Sequence, residues 1–485
     1  MHHTLASNRR SGFDHNMTDF TYESALALSE KLERGDISAS ELMQSTLNRV
    51  DAVNGEVNAI VSLRDGDDLM AEAKAAETAP RKGWLHGIPI AIKDLGNAAG
   101  LPTSLGSPLF AGQMAHTDDL VVANLRNAGA IVIGKTNTPE FGLGSHTFNP
   151  VFGATRNPYG HGQTAGGSSG GAAVALATGM LSVADGSDMM GSLRNPAAWN
   201  NVYGMRPSWG LIPSEPKEDS FIHHMATNGP MARNPADMAA LLDTMASVDP
   251  RQPHGTIQAP ALAQIEGDIT GTRVGWLGDW DGALIYEDGI TELAQTALGQ
   301  MADMGCVVHD QSAPFSAPAI WDSWITLRSF MVGSGLAPML IDPQKRDRLK
   351  ATAIWEAERY LAMTAPEVHN ASAIRTKWFM KSAQLFEAVD VLVLPSAQVW
   401  PFDVDVEYPT AIAGRQMDTY HRWMEVMIAP SLLGLPVVNI PMGFGGPNNL
   451  PMGLQLIGKR GADAALLRLA NAWHKATDWP SVRRI

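Results

Sequence analysis

Two glycine-rich stretches carry serine hydroxyls: GGSSGG at 166–171 and DMMGSLR at 188–194. In the second stretch, Ser192 lies in a turn before LRNPAA, where Pro196 suits the first turn of a helix. A serine there lies beside free backbone N–H groups and the positive end of the helix dipole, which would stabilise an oxyanion in acyl transfer. The alternative is a serine that only caps the helix, and this stretch alone favours that alternative. The glycines of GGSSGG favour the catalytic interpretation, because they can present two further hydroxyls at a fixed position.

A serine nucleophile needs a base, and lysine is the remaining candidate in this chain. No histidine has an evident place beside GGSSGG. A lysine accepts a proton near neutral pH only when burial lowers its pKa. Lys93 follows the apolar strand IPIAI, and Lys135 follows the strand AIVIG. Local sequence does not choose between these two lysines.

Metal and nucleotide chemistry lack their characteristic residues. None of the fourteen histidines shows the spacing of a metal-ligand pair. His2 and His3 are adjacent, as are His223 and His224, and adjacent residues do not converge on one helix face. GGSSGG is not followed by Gly-Lys-Ser/Thr, and no GxGxxG motif follows a predicted strand. We therefore expect no metal and no cofactor.

The segments around these residues alternate between helix and strand. A helix is predicted from Ser24 to Arg34, ended by Gly35, and a second begins at Ser38, where Glu41 completes a capping-box spacing. Short apolar strands are predicted at IPIAI (88–92), AIVIG (130–134), VGWLG (274–278), VLVLP (391–395), VVNIP (437–441) and GLQLI (453–457). Strands of this kind, separated by helices, predict an α/β fold with a largely covered sheet and helices on both faces.

Composition and charge narrow the class of protein. The chain has 485 residues, 45% of them hydrophobic and 18% charged, which is typical of a soluble globular protein with a large core. Its net charge of −14 argues against nucleic acid or an anionic membrane as the main partner. The apolar stretch 172–184 is too short to span a bilayer. The lone Cys306 and the absence of an apolar signal segment predict a cytoplasmic protein.

Several motifs, in order along the chain, resemble the amidase signature family of serine hydrolases. They are GIPIAIKDL (87–95), GAIVIGKTNTPEFGLGS (129–145), FGATRNPYG (152–160), TAGGSSGG (164–171), ADGSDMMGSLRNPAA (184–198) and YGMRPSWGLIP (203–213). The likeness continues to the C-terminus through GLPVVNIPMGF and LPMGLQLIGKRGADAALLRLA, and it is strongest from 87 to 213. It implies a mixed central β-sheet covered by helices on both faces, in a single domain spanning 19–485. Residues 1–18 would be a flexible extension, with Met1 or Met17 as the native start.

The resemblance implies a catalytic triad of lysine, a serine preceded by a cis peptide bond, and a nucleophilic serine. Matched motif by motif, the lysine is Lys93, the bridging serine is Ser168 and the nucleophile is Ser192. The resemblance thus selects Lys93 over Lys135. It implies that neutral Lys93 draws a proton through Ser168 from Ser192, whose oxygen attacks an amide carbonyl to form an acyl-enzyme.

The resemblance also implies an oxyanion hole made by the backbone N–H groups of Met189, Met190, Gly191 and Ser192. One position departs from the family pattern, which usually has two glycines before the nucleophile, whereas here Met190 precedes Gly191. Methionine keeps the N–H donor but restricts φ and adds bulk beside the reacting carbon. Because all three triad residues are present, we expect a reshaped substrate pocket rather than an inactive relative.

The expected substrate is a small-molecule amide with a hydrophobic or aromatic acyl or amine group. We predict substrate contacts from Trp321, Trp324, Gln398 and Trp400, which lie outside the motifs that carry the resemblance.

Three alternatives to amide hydrolysis by a stand-alone enzyme stay open at this point. The same triad can cleave carbamates or esters. The chain can be the A-type subunit of a glutamine amidotransferase, which would have a stable protein partner. A binding protein that kept the fold without activity is suggested by Met190 alone. The family resemblance further implies a homodimer, and we expect no nucleic-acid or membrane partner.

Overall fold

The computed structural model describes residues 20–216, 219–222 and 225–485. The predicted extension with its two candidate start residues, and both histidine pairs, lie outside the described residues.

Helices are distributed along the whole described chain. They are α1 (Ala25–Arg34), α2 (Ala39–Val57), α3 (Gly66–Thr78), α4 (Leu120–Asn127), α5 (Gly170–Ala177), α6 (Arg194–Trp199), α7 (Pro235–Met245), α8 (Ile290–Asp303), α9 (Ala317–Ile341), α10 (Pro343–Arg346), α11 (Ala351–Ala362), α12 (Ala365–Ala388), α13 (Ile428–Leu433), α14 (Asp463–Thr477) and α15 (Trp479–Val482). Short 3-10 helices lie at Glu140–Gly142, Leu262–Gln264 and Arg422–Met427.

The first two helices begin and end as the sequence predicts. Ser24 caps α1 through its side chain, and Gly35 ends that helix in the left-handed conformation, with φ of 72°. Ser38 and Glu41 form a reciprocal capping box at the start of α2.

Strands are also distributed along the described chain, and most of them are short. They are β1 (Ile60–Val61), β2 (Pro89–Lys93), β3 (Ile131–Thr136), β4 (Phe148–Asn149), β5 (Gly153–Ala154), β6 (Arg156–Asn157), β7 (Gly160–Thr164), β8 (Val183–Asp188), β9 (Tyr203–Arg206), β10 (Thr227–Ala232), β11 (Arg273–Trp276), β12 (Val307–Asp310), β13 (Val391–Pro395), β14 (Ala411–Ile412), β15 (Arg415–Gln416), β16 (Val437–Gly445) and β17 (Leu450–Gly458).

Eight of these strands form a central sheet in the order β12-β11-β13-β17-β16-β9-β10-β8. β11 pairs in parallel with β12 and β13, and every pair from β13 to β8 is antiparallel. All nine residues of β17 are buried, although successive side chains point to opposite faces, so both faces of the sheet are covered. The predicted mixed sheet between layers of helices is confirmed.

A smaller sheet, ordered β1-β3-β2, carries both candidate lysines. β2 and β3 are parallel, so Lys93 at the end of β2 lies opposite Thr136, the residue after Lys135. β2 also packs against β8, the edge strand of the central sheet. The strand that ends at Lys93 is thereby brought to the segment that leads into Ser192.

The long helix α9 has the length and hydropathy of a helix that could cross a membrane. Half of its most apolar window is buried inside the protein, where α9 packs against α11 and α12.

Candidate active site

Lys93 lies at the centre of a cluster of hydroxyl groups. Its side chain is almost fully buried, and every residue of β2 is buried with it. The Nζ atom lies within hydrogen-bond distance of Ser168 Oγ at 2.8 Å, Ser169 Oγ at 2.9 Å and Ser187 Oγ at 3.0 Å. A longer bond of 3.3 Å reaches the Ser187 carbonyl oxygen. The predicted contact between Lys93 and Ser168 is present.

The electrostatics around Lys93 favour an uncharged amine. Burial lowers the pKa of Lys93 from 10.5 to about 7, against the attraction of Asp185 and Asp188, which would raise it. Burial raises the pKa of Asp185 to about 6, although its carboxylate accepts a hydrogen bond from the backbone N–H of Lys93 at 2.9 Å. Within the described residues, no carboxylate oxygen lies within 4.0 Å of Lys93 Nζ, the limit for an ion pair. A substantial fraction of Lys93 is therefore neutral near pH 7.

The glycines of GGSSGG let neighbouring loops approach closely. The peptide bond between Gly167 and Ser168 is cis, as the family resemblance implies. A Cβ atom on Gly171 would lie 2.3 Å from the backbone nitrogen of Asn137 and 2.5 Å from the carbonyl oxygen of Ala59. Only glycine fits at this position, so the loop is held firmly where Ser168 meets Lys93.

Ser192 lies in the neighbouring turn and is half-buried. It does not cap the following helix, because α6 begins at Arg194 with Leu193 in the capping position. The backbone N–H of Ser169 donates to the Ser192 carbonyl oxygen at 3.2 Å, which joins the two glycine-rich stretches. Among the described residues, the Ser192 hydroxyl makes no hydrogen bond, including to Ser168. The structure thus joins Lys93 to Ser168 directly, whereas Ser192 is joined to the GGSSGG stretch only through the backbone N–H of Ser169.

A buried carboxylate fixes the turn before Ser192. Asp188 accepts hydrogen bonds from the backbone N–H of Gly191 at 2.8 Å and of Leu193 at 3.1 Å. It also pairs with Arg194 at 3.0 Å and with Arg206 at 3.3 Å. Burial alone would raise the pKa of Asp188, but the two guanidinium groups outweigh burial and hold it well below its usual range. Asp188 is therefore ionised throughout the physiological pH range.

Of the four N–H groups predicted to form the oxyanion hole, one is already engaged. The N–H of Gly191 is already donated to Asp188, whereas those of Met189, Met190 and Ser192 have no acceptor among the described residues. Gly191 has φ of 88°, and a Cβ there would lie 2.6 Å from Met427 Cγ, so this position requires glycine.

Met190 is accommodated without disturbing the turn. It is not among the described residues with positive φ, so its conformation is open to a residue with a side chain. The Met190 side chain is 4% exposed and packs in the core, whereas Met189 is half-buried. The methionine that adds bulk at the surface of the turn is therefore Met189.

The four residues predicted to contact the substrate are all buried. Trp321, Trp324, Gln398 and Trp400 are all at most 5% exposed. Trp400 Nε1 donates to a backbone carbonyl at 3.1 Å, and Gln398 Nε2 to another at 3.0 Å. All four side chains are packed in the interior of the protein.

A cavity of about 300 Å³ lies beside the strand that enters the turn. Its wall includes Thr227, which pairs with Asp188 across the β10–β8 ladder. Trp209, Ile212 and Met331 add apolar surface to the same wall. A volume of this size suits a small organic molecule.

Sequence reasoning missed two hydroxyls and one carboxylate that surround Lys93. Ser169 is the second serine of GGSSGG, and Asp185 and Ser187 belong to the ADGSD stretch before the turn. Their spacing on β8 offered a signal, because Asp185 and Ser187 are two residues apart and share one face of a strand. Within the described residues, no group of three or more His, Cys, Asp or Glu side chains is arranged to hold a metal ion.

Comparison with known proteins shows the family of the chain. The family model for amidases matches residues 41–467. An acylamidase from Rhodococcus erythropolis is 32% identical over 468 residues, which cover 94% of this chain and 96% of that protein. The A-type subunit of the glutamyl-tRNA(Gln) amidotransferase from Chromohalobacter salexigens is 30% identical over 489 residues, covering 93% of this chain and 96% of that protein.

A solved structure gives the same result at the level of the fold. The crystal structure of a bacterial aryl acylamidase of the amidase signature family superposes with a TM-score of 0.87 at 25% identity, covering 96% of this chain and 99% of that one. The fold and the buried lysine–serine cluster define an amidase signature enzyme. The chain belongs to the amidase family and is an amide-hydrolysing enzyme.

Proposed function

We propose that the chain hydrolyses small carboxylic amides through an acyl-enzyme on Ser192, with Ser168 and Lys93 as the proton relay. The observation that carries this proposal is the 2.8 Å contact between Lys93 Nζ and Ser168 Oγ, in a site where burial brings the pKa of the lysine to about 7. A neutral amine at this distance can take the hydroxyl proton of Ser168.

Proton transfer along the relay accompanies the attack of Ser192 on the amide carbon. Lys93 accepts the Ser168 proton while Ser168 accepts the Ser192 proton, and Ser192 Oγ bonds to the amide carbon. The Ser192 hydroxyl makes no hydrogen bond among the described residues, so it is free to rotate toward Ser168 when substrate binds. The new oxyanion faces the N–H groups of Met189, Met190 and Ser192.

Collapse of this intermediate breaks the C–N bond. The leaving nitrogen receives the proton back from Lys93 through Ser168, which leaves an ester on Ser192. A water molecule then loses a proton to the same relay and attacks the ester carbon. The acid departs, Ser192 recovers its proton, and no metal or cofactor enters the balance.

The cavity beside β8, the strand that leads into the turn, supports an apolar or aromatic group in the substrate. Trp209, Ile212 and Met331 line it, and the relatives include an acylamidase and an aryl acylamidase. We therefore propose N-acyl amides and anilides as the first substrates to test, with carbamates and esters as further classes open to the same nucleophile.

The experiment is a matched panel of amides, anilides, carbamates and esters, run with the wild type and with Ser192→Ala and Lys93→Met. The proposal expects release of the amine from at least one amide or anilide by the wild type and by neither variant. A fluorophosphonate probe should label the wild type on Ser192. Turnover that survives in Ser192→Ala would contradict the proposal.

A second candidate rests on the similarity to the A-type subunit of an amidotransferase, at 30% identity across nearly the whole chain. In that role the substrate would be glutamine, and ammonia would pass to a partner protein. Purification from the native host with a stoichiometric partner, together with glutaminase activity, would favour this function. A wild type that cleaves anilides and leaves glutamine intact would exclude it.

Four further expectations stay predictions from the sequence. They are a homodimer, a cytoplasmic location, the absence of a cofactor, and a single domain spanning 19–485.

A further inference from the structure

A buried arginine contacts the turn before Ser192. Arg328 lies on α9 and is 5% exposed. Its Nη1 atom donates to Met189 Sδ at 3.2 Å. Met189 is the first of the proposed oxyanion donors. A thioether is a weak acceptor, so this bond does not explain why a charged group is buried here.

Stronger partners hold Arg328 in place. Its Nε atom donates to Glu356 Oε1 at 2.9 Å, and its Nη2 atom donates to the Tyr420 hydroxyl at 2.7 Å. Glu356, which is fully buried, also accepts from Tyr420 at 2.7 Å and from Ser329 at 2.6 Å. The positive charge is thus neutralised, and the planar guanidinium is fixed in one orientation.

Aromatic rings close around the same arginine. The guanidinium lies 5.3 Å from the ring centre of Trp324, which packs against Trp321 at 5.5 Å. His421 fills the space between Trp324 and Tyr420, at 5.0 and 4.2 Å. Burial and the charge of Arg328 hold the pKa of His421 well below its usual range, so this ring adds no charge. Trp321 and Trp324 therefore act behind the site, as a rigid support for Arg328.

We propose that Arg328 is a positioning residue for amide hydrolysis: it anchors the Met189 side chain and thereby holds the backbone N–H groups of the turn toward the developing oxyanion. This inference rests on the proposed function. Met189 needs such an anchor, because it is half-buried and methionine has three flexible side-chain torsions. A shift of about 1 Å in a group that aligns the reaction can cost about a hundredfold in rate.

The first test replaces only the acceptor. Met189→Leu keeps an apolar side chain of similar size and removes the sulfur. The value of kcat should fall about three- to tenfold, because the turn loses a side-chain anchor but keeps its hydrogen bonds to Asp188. KM, the melting temperature and the midpoint of the pH–rate profile should stay unchanged, because neither substrate contacts nor Lys93 are altered.

The second test removes the donor. Arg328→Met combined with Glu356→Gln avoids leaving a buried carboxylate without its partner. This pair should lower kcat, and adding Met189→Leu to it should lower kcat no further, because both changes remove the same bond. Arg422→Met is the matched control: Arg422 lies 4.0 Å from the ring centre of Trp321 and makes no hydrogen bond to Met189 among the described residues. The control should keep the kcat of the wild type.

The outcomes separate this inference from the proposed function. An unchanged kcat in Met189→Leu overturns the inference, and so does a raised KM at unchanged kcat, which would make Met189 a substrate contact. The inference also fails if the losses of kcat from Met189→Leu and from the Arg328→Met and Glu356→Gln pair are additive, because the two changes would then act independently. Ser192→Ala is measured alongside: if it retains turnover, the proposed function itself fails. If Ser192→Ala is inactive while Met189→Leu equals the wild type, only the role of Arg328 fails.

Discussion

Lys93 and Lys135 lie on neighbouring parallel strands and are almost equally buried, at 2% and 0% exposure. Burial lowers the pKa of both. Their partners differ. Lys135 Nζ lies 3.6 Å from Asp94 Oδ1 and donates to the Gly96 carbonyl oxygen at 2.5 Å, whereas the side-chain partners of Lys93 are serine hydroxyls.

Burial lowers the pKa of both lysines, so burial alone does not distinguish the proposed base from its neighbour. A carboxylate at ion-pair distance stabilises the charged form of Lys135 and leaves it a structural role. Hydroxyl groups solvate the amine of Lys93 in either protonation state, because each can donate or accept a hydrogen bond. The two lysines therefore differ in the partners that the neighbouring segments supply: a carboxylate for Lys135 and hydroxyl groups for Lys93.

The largest expected effect is on turnover. Lys93→Met should lower kcat/KM for an amide by about 10⁴-fold or more, as loss of one member of a catalytic triad does elsewhere. The fold should persist, since methionine fills similar space and a poorly solvated amine is removed. Amide hydrolysis and the melting temperature measure the two effects.

Lys135→Met serves as the matched variant for that experiment. It should retain the kcat/KM of the wild type to within a few-fold at a temperature where it stays folded. If Lys135→Met were inactive while Lys93→Met kept its turnover, the assignment of the two lysines would be reversed.

The sequence allowed much of this site to be predicted, but not all of it. The motifs around Lys93, Ser168 and Ser192 predicted a triad through a family resemblance, and the structure brings Lys93 and Ser168 together. The alternation of helices and strands indicated the covered sheet. Local sequence did not distinguish Lys93 from Lys135, because both follow apolar strands and Asp94 is adjacent to Lys93 in the chain.

Tertiary packing decided the points that the sequence left open. Asp94 directly follows Lys93, yet its side chain turns to Lys135 on the neighbouring strand. The sequence also left open which way the tryptophans predicted as substrate contacts would face. Composition shows that Trp321 and Trp324 are large and apolar, but only the packing of α9 shows which way they face.

The next largest effect is on the free energy of unfolding, and it should result from replacing Lys135. Lys135→Met leaves Asp94 buried beside Ser104 without a counter-charge, which should cost about 3–5 kcal/mol of unfolding free energy. Adding Asp94→Asn should recover part of this loss. The midpoint of urea unfolding measures both changes. A midpoint for Lys135→Met equal to that of the wild type would show that the ion pair contributes nothing.

A smaller effect is the pH dependence of stability contributed by Lys93. Its pKa is about 7 in the folded protein, whereas a fully hydrated lysine, which represents the unfolded chain, has a pKa of 10.5. Between these values the unfolded state binds a proton that the native state does not, so this lysine makes stability rise with pH. Lys93→Met lacks that contribution.

Lys93→Met should therefore be more stable than the wild type. The difference in their unfolding free energies should be largest near pH 7 and shrink toward pH 10, by at most about 1.4 kcal/mol per pH unit. Urea unfolding of both proteins across this range measures it, and the contribution of Lys135 cancels in the difference. A difference that stays constant with pH would mean that Lys93 is charged in the folded protein.

The central claim is that an uncharged Lys93 activates Ser192 through Ser168. Its most direct test is the rate at which a fluorophosphonate probe labels the protein as a function of pH, with the modified residue located by mass spectrometry. The account predicts a label on Ser192, a rate that rises through a single ionisation near pH 7 and then levels off, and loss of both features in Lys93→Met. A label on another residue, or the same pH profile in Lys93→Met, would contradict it.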